Sequence, residues 1–120
     1  MRDREHQIQV ACVRWFRYAY PQSIIYAVPN GGQRNAVVAA KLKAEGVLSG
    51  IPDLCVAEAK CGYHALYVEM KNGTQGKVSE HQRELIEQLR EKGYCCEVCR
   101  SFDEFEKVVS DYMGEKYERK

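Results

Sequence analysis

Two hydrophobic periodicities divide the chain into helices and strands. In the first segment, Ile8, Cys12 and Phe16 recur at four-residue intervals, the spacing of the buried stripe of an amphipathic helix. From 66 to 71, apolar and polar residues alternate, which is typical of a strand with one buried face. The predicted order is helix 4–18, strand 24–28, helix 34–44, strand 53–57, strand 65–71, helix 79–92, strand 94–99 and helix 102–113. The pattern indicates an α/β fold.

The third predicted helix carries signals at both ends. Ser79 is followed three residues later by Gln82, which is the signature of an N-terminal capping box, and Gly93 provides a stop. Because this helix connects strand 65–71 to strand 94–99, we expect the two strands to be parallel and their connection to be right-handed.

Two carboxylates and a lysine are predicted to share one face of a hairpin. If strands 53–57 and 65–71 pair with the hairpin tip near Cys61, Asp53 lies opposite Glu69. Such pairs have Cβ atoms about 4.5–5.5 Å apart, and two like charges there favour a hard cation such as Mg²⁺ or Mn²⁺ between them. Lys71 lies on the face of Glu69. The pattern alone leaves open that all three are solvated surface residues, with Lys71 paired to Glu69.

Gln82 and Glu5 are further candidates for this site. Gln82 extends the buried stripe of its helix by one turn, and a polar group on an inward face needs a partner. A purely local role in the capping box is the alternative, and the two roles are compatible. Glu5 lies at the edge of the apolar stripe of the first helix, although acidic residues in a first turn also favour the helix dipole.

Taken in order, these motifs resemble the virus-type replication-repair nuclease (VRR-NUC) domain, a branch of the PD-(D/E)xK nuclease superfamily. The matching blocks are Glu5 to Gln9, Pro29 to Gly32, Lys41 to Gly46, Gly50-Ile51-Pro52-Asp53-Leu54, Tyr67-Val68-Glu69-Met70-Lys71, Ser79 to Gln82, and Gly93 to Val98.

The resemblance implies a restriction-endonuclease-like fold, with a mixed β-sheet flanked by helices, and metal-dependent phosphodiester hydrolysis. It implies that Asp53, Glu69 and the backbone carbonyl of Met70 bind Mg²⁺ or Mn²⁺. Lys71 would activate the attacking water or stabilise charge. Gln82 and Glu5 would be accessory residues of the catalytic site.

Composition limits how the chain could bind DNA. Its 120 residues fit one domain, with a charged tail at 114–120, and a net charge of +1 excludes a global basic field. Nucleic-acid contacts must therefore be local, from cations and from the backbone of a glycine-rich loop that could approach a phosphate. The candidates are Asn30, Gly31, Gly32, Arg34, Lys41 and Lys77. A plain turn and a solvated helix face are the alternatives for the loop and for Lys41.

The six cysteines indicate the redox environment of the cellular compartment. Most lie in predicted core elements, as small buried hydrophobes do in a reducing environment. Cys96 and Cys99 form a C-x-x-C on a predicted strand, where they point to opposite faces and are unsuited to sharing a metal. We expect a cytoplasmic protein, from a bacterium or a phage-infected cell, with no membrane span.

The leading functional hypothesis is a DNA endonuclease acting on branched DNA such as four-way (Holliday) junctions. The resemblance to stand-alone family members favours a homodimer. Aromatic residues that a small core does not absorb would add to its interface, with burial within the monomer as the alternative for each of them. They are Trp15, Phe16, Tyr18, Tyr20, Tyr26 and Tyr112. The alternatives are a non-catalytic nucleic-acid-binding module of the same fold, a flap or nicking nuclease, and a hydrolase of small phosphate compounds.

Overall fold

The computed structural model describes residues 2–29, 35–74 and 76–119. Its elements are α1 (Arg2–Ala19), β1 (Ile25–Ala27), α2 (Ala36–Ala44), β2 (Leu54–Val56), β3 (Leu66–Met70), α3 (Glu80–Glu91), β4 (Cys95–Cys99) and α4 (Phe102–Met113). The predicted order of helices and strands is confirmed. The strands are shorter than predicted, but pairing continues past β1 and β2, since the Val28 amide donates to the Asp53 carbonyl at 2.8 Å.

The four strands form one mixed sheet in the order β1-β2-β3-β4. β2 is antiparallel to both β1 and β3, whereas β3 and β4 are parallel, as the α3 connection predicts. Leu54 pairs with Val68 in the β2–β3 hairpin. This register places Asp53, one residue before Leu54, opposite Glu69, one residue after Val68.

The tip of this hairpin is a tight turn at Cys61 and Gly62. Both residues have positive φ angles, 56° and 82°, and the Tyr63 amide donates to the Lys60 carbonyl at 2.8 Å. Two consecutive positive φ angles are the mark of a type I′ turn, whose twist matches that of the strands it joins. The turn reverses the chain, and the pairing of Leu54 with Val68 in the strands sets the register that places Asp53 opposite Glu69.

The main core lies on the face of the sheet that packs against α1 and α4. Cys12 and Phe16 from α1 and Phe105 and Tyr112 from α4 meet inward-facing strand residues such as Val68. The Tyr112 hydroxyl donates to the Glu58 carbonyl at 2.6 Å, so its polar end is satisfied despite full burial. This core rigidly supports the strands that carry the site.

The second face of the sheet is the one covered by α3. Side chains alternate along β3, so Glu69 points away from the core that contains Val68 and Met70. The Gln82 side chain reaches Glu69 from α3, and Ile86 is buried one turn later. The site thus lies between this face and the start of α3.

The cysteines are free thiols, and all except the half-buried Cys61 are buried. Burial raises the pKa of Cys95 to about 11 and that of Cys96 to about 12, so these thiols stay protonated and behave as small apolar groups. Cys99 belongs to the main core and Cys96 does not. The predicted opposite orientation of Cys96 and Cys99 is confirmed.

The structure changes the picture of the surface aromatic residues. Phe16 and Tyr112 are fully buried within the monomer, and Trp15 and Tyr20 pack against the core. Tyr18 and Tyr26 remain exposed, at 88% and 46%, so these two are the most accessible of the six predicted residues, while Trp15 and Tyr20 are partly buried. None of the helices within the described residues is long and apolar enough to span a membrane.

Candidate active site

The centre of the site is Glu69, a buried carboxylate on β3. Glu69 is 3% exposed, and it is the one charged residue that is buried among those that the structure describes. Oε2 lies 3.3 Å from Nζ of Lys71 and accepts a hydrogen bond of 3.0 Å from Nε2 of Gln82. Oε1 is buried without a hydrogen-bond partner in the described protein. One oxygen of the carboxylate is therefore held by the protein, while the other is left to bind a ligand.

Asp53 supplies the second carboxylate. It lies just before β2, after Gly50-Ile51-Pro52, and Pro52 is fully buried two residues before the strand begins. The backbone amide of Met70 donates to Oδ2 of Asp53 at 2.8 Å. This hydrogen bond ties the Asp53 side chain to the residue beside Glu69 and fixes its orientation across the hairpin.

The surroundings of the two carboxylates disfavour their charged forms. Burial, first, and the charge of Asp53, second, raise the pKa of Glu69 to about 7, while Lys71 opposes the shift. Burial also raises the pKa of Asp53, against the hydrogen bond from Met70. The negative charge of Glu5 raises the pKa of both groups. Glu5, at the start of α1, therefore contributes to the electrostatics of both carboxylates.

Gln82 performs both roles left open by the sequence. Its backbone amide donates to the Ser79 hydroxyl at 3.1 Å, and its Oε1 accepts from the Ser79 amide at 3.0 Å, which completes a capping box. Its Nε2 group meanwhile donates to Glu69. One side chain therefore caps the helix and holds the buried carboxylate.

Position 50, at the start of the segment that leads to Asp53, requires a glycine. Its φ of +88° is in the left-handed region, and a Cβ would lie 2.6 Å from Cδ2 of His81 and 3.1 Å from Cδ1 of Leu85. Nε2 of His81 lies 2.7 Å from the Ser49 carbonyl; since a carbonyl only accepts, Nε2 is the protonated nitrogen. The first turn of α3 thus packs directly on the segment leading to Asp53, which fixes Gln82 relative to Asp53.

Arg100 organises the loop between β3 and α3. Its Nη1 group donates to the Gly73 carbonyl at 2.9 Å and also to the Gly76 carbonyl. A Cβ at Gly76 would lie 3.2 Å from Cβ of Lys71, so the loop packs closely against the stem of Lys71. Arg100 therefore supports the wall behind Lys71.

Arg100, Gly76 and His81 are residues near the site that the sequence pattern does not single out. His81 has a partial signal, because it precedes Gln82 in the first turn of α3, but taken alone it predicts only a surface or capping role. Arg100 and Gly76 have no such signal, since their interactions depend on how the loop folds.

The donor set fits a hard divalent cation. Two carboxylates face each other across the hairpin, and Oε1 of Glu69 is a buried oxygen with no protein partner in the described residues. Within residues 2–29, 35–74 and 76–119, no three His, Cys, Asp or Glu side chains are grouped to hold a metal. A cation bound here would therefore need backbone carbonyl or water ligands as well, as Mg²⁺ commonly does. The Met70 carbonyl remains a predicted ligand.

The predicted nucleic-acid contacts are placed only in part. Asn30, Gly31, Gly32 and Arg34 lie outside the described residues. Lys41 is exposed in the last turn of α2, and Lys77 is exposed on the loop before α3. Their role in DNA binding remains a prediction.

Comparison with known proteins identifies the family. The model of the VRR-NUC domain matches residues 3–103. A solved structure described as a VRR_NUC domain protein is 28% identical to this chain, with a TM-score of 0.77, over 92% of this chain and 88% of that one. A second, described as a VRR_NUC domain, is 22% identical, with a TM-score of 0.62, over 90% of this chain and 96% of that one. This second structure, because of its lower identity, supports the fold alone. No curated protein matches the chain.

The fold and the match together define a nuclease-type domain of the PD-(D/E)xK kind. The chain belongs to the VRR-NUC family. The predicted resemblance and the predicted fold class, a mixed sheet flanked by helices, are therefore confirmed.

Proposed function

We propose that this protein is a metal-dependent DNA endonuclease that hydrolyses phosphodiester bonds at the site formed by Asp53, Glu69 and Lys71. The observation that carries the proposal is the buried Oε1 of Glu69, which has no hydrogen-bond partner in the described protein and belongs to the residue opposite Asp53 in the hairpin register. A buried carboxylate costs free energy unless it is paired or binds a cation. A cation bound here would offset this cost and would account for the burial of Glu69 opposite Asp53.

Each residue of the site has a distinct role in this proposal. When bound, Mg²⁺ or Mn²⁺ would supply a Lewis acid at the scissile phosphate. Asp53 and Glu69 would hold the ion, with the Met70 carbonyl as a further ligand. Lys71, 3.3 Å from Glu69, would orient the attacking water or stabilise the negative charge that develops on the phosphate.

Gln82 and Glu5 act through the two carboxylates. Gln82 donates to Oε2 of Glu69, which leaves Oε1 as the oxygen available to the ion. Glu5 adds negative charge near the site, which favours binding of a divalent cation over an empty site. We assign both as accessory residues of the active site.

DNA is the substrate that family membership implies, and we propose that the preferred substrate is branched, such as a four-way junction. The net charge of +1 leaves recognition to local contacts with the backbone and to the shape of the DNA. The resemblance to family members that act on branched DNA supports this choice.

A panel of labelled four-way junctions, flaps, nicked duplexes and linear duplexes of matched sequence tests the substrate. With Mg²⁺ or Mn²⁺, we expect the fastest cleavage on the junction. Equal rates on all four DNA structures would contradict structure selectivity, and preference for the flap would favour the flap nuclease instead.

We further propose that the protein acts as a homodimer, which would supply two sites related by a two-fold axis for the paired cuts that a junction requires. Exposed apolar side chains support this, including Ile24 at 61% and Val37 at 73% exposure. α2, which carries Val37, has no buried residue. Light scattering at micromolar concentration should give a dimer mass. A monomer that still makes efficient paired cuts would overturn the proposal.

A further inference from the structure

A basic cleft lies beside the candidate active site, at the β4 edge of the sheet. It is open to solvent, has a volume of about 490 Å³ and is bordered by α3, the end of β4 and the loop between β3 and α3. Four cationic side chains and one carboxylate line it. They are Lys77, Arg83, Arg90, Arg100 and Glu87.

Most of this positive charge is uncompensated. Glu87 pairs with Arg90 at 3.0 Å, so its charge is already balanced. Lys77 and Arg83 are exposed, and within the described residues neither forms an ion pair with a carboxylate. The guanidinium of Arg100 bonds to two neutral carbonyls. In a chain whose net charge is only +1, a cleft with this excess of positive charge concentrates the field locally and attracts anions.

The cleft shares a wall with the active site. Arg100 holds the carbonyls of Gly73 and Gly76 from the cleft side. On the other side, the position of a Cβ at Gly76 is 3.2 Å from Cβ of Lys71. The loop backbone at Gly76 therefore lies between the cleft and the stem of Lys71.

We propose that this cleft binds a backbone phosphate of the DNA, on the strand or duplex arm adjoining the phosphate that is cleaved. The proposal rests on the proposed nuclease function and adds a second point of attachment to it. Arg83 and Lys77, which have no ion-pair partner within the described residues, bind the phosphate by charge. Arg100 keeps the wall of the cleft in place through the two carbonyls.

The salt dependence of DNA binding tests this proposal directly. The slope of log K against log salt concentration becomes shallower by about 0.9 for each duplex phosphate that the protein no longer neutralises. We would measure it by anisotropy of a labelled junction in a Glu69→Gln background, which prevents cleavage. Adding Arg83→Gln should reduce the slope by about one and weaken binding, and Arg83→Lys should restore most of the slope.

Arg14→Gln is the matched control, because it makes the same charge change at an exposed helical position. Arg14 lies nine residues from Glu5 along α1, a distance of ~13 Å. We expect it to leave the slope unchanged. An unchanged slope for the Arg83→Gln, Lys77→Gln double variant, with its melting temperature preserved, would overturn the proposal.

Two further results separate the possible explanations. If inorganic phosphate raises the melting temperature of the wild type but not of Arg83→Gln, while the slope with DNA is the same for both, the cleft binds free phosphate and the proposal is wrong. If the slope depends on Arg83 but the wild type cleaves no DNA, the cleft assignment stands and the proposed nuclease function fails.

Discussion

Gln82 donates a hydrogen bond of 3.0 Å from Nε2 to Oε2 of Glu69, although the same side chain completes the N-terminal cap of α3. The position of the helix and the orientation of the buried carboxylate are therefore set by one residue. This dual use makes the two contributions separable, because Ser79 takes part only in the cap.

Ser79→Ala and Gln82→Ala should have different effects. Loss of an N-cap side chain typically costs ~1 kcal/mol, so both variants should be less stable by about that amount. Only Gln82→Ala also removes the donor to Glu69, and we expect it alone to cleave DNA more slowly. Thermal melts and initial rates on the same preparations measure both effects. Full activity in Gln82→Ala would reduce Gln82 to a capping residue.

The buried Glu69 should make stability depend on pH in the absence of metal. Its pKa rises from an ordinary value of 4.5 to about 7 on folding, so between these values the folded state binds more protons than the unfolded state. The free energy of unfolding must then fall as pH rises from 4.5 through 7, by on the order of 3 kcal/mol from this group. It should level off above pH 7.

Urea titrations at several pH values in EDTA check this expectation. Glu69→Gln, which is nearly isosteric and cannot ionise, should flatten this part of the profile. If Glu69→Gln and the wild type lose stability equally between pH 5 and 8, the burial of Glu69 does not carry the effect.

Lys71→Ala should separate metal binding from cleavage. The two carboxylates remain, so Mn²⁺ should still bind in a calorimetric titration. The positive charge next to Glu69 is removed, and we expect cleavage to slow by about 100-fold or more, as when other charge-stabilising groups are removed. Lys107→Ala is a suitable control, because Lys107 is exposed and its partner is Asp111 on the surface of α4. Loss of Mn²⁺ binding by Lys71→Ala would instead make Lys71 part of the metal site.

Gly50→Ala should be destabilising for two separable reasons. The backbone has a φ of +88°, and the added Cβ would collide with the His81 ring. Gly46→Ala isolates the first reason, since Gly46 has a φ of +111° and no atom within 4 Å of an added Cβ. We expect Gly50→Ala to lower the melting temperature more than Gly46→Ala does. The excess should shrink in a His81→Ala background, and an unchanged excess would show that the His81 ring does not matter.

The fold is predictable because its signals are local and mutually consistent. The alternation through Glu69, the glycine turn after Cys61 and the capping box at Ser79 each predict an element, and the register of the two strands places Asp53 opposite Glu69. That register depends on backbone pairing with a period of two. The strand pattern by itself therefore places the two carboxylates on one face of the sheet.

The parts of the site that are not predictable depend on tertiary packing. Nothing in the sequence shows that Arg100 reaches the loop carbonyls of Gly73 and Gly76, or that His81 covers Gly50. The burial of Glu69 also depends on how closely α3 approaches the sheet. Without that approach, Glu69 and Lys71 would form an ordinary solvated surface pair.

The most direct test of the site is cleavage of a labelled four-way junction by the wild type and by Glu69→Gln, assayed in parallel with Mn²⁺ and with EDTA. We predict that the wild type gives cleaved strands with Mn²⁺ and none with EDTA. Glu69→Gln should give none in either condition, while remaining folded and still binding the junction. Cleavage by Glu69→Gln at the wild-type rate, or by the wild type in EDTA, would contradict the assignment of this carboxylate pair as the metal-dependent catalytic centre.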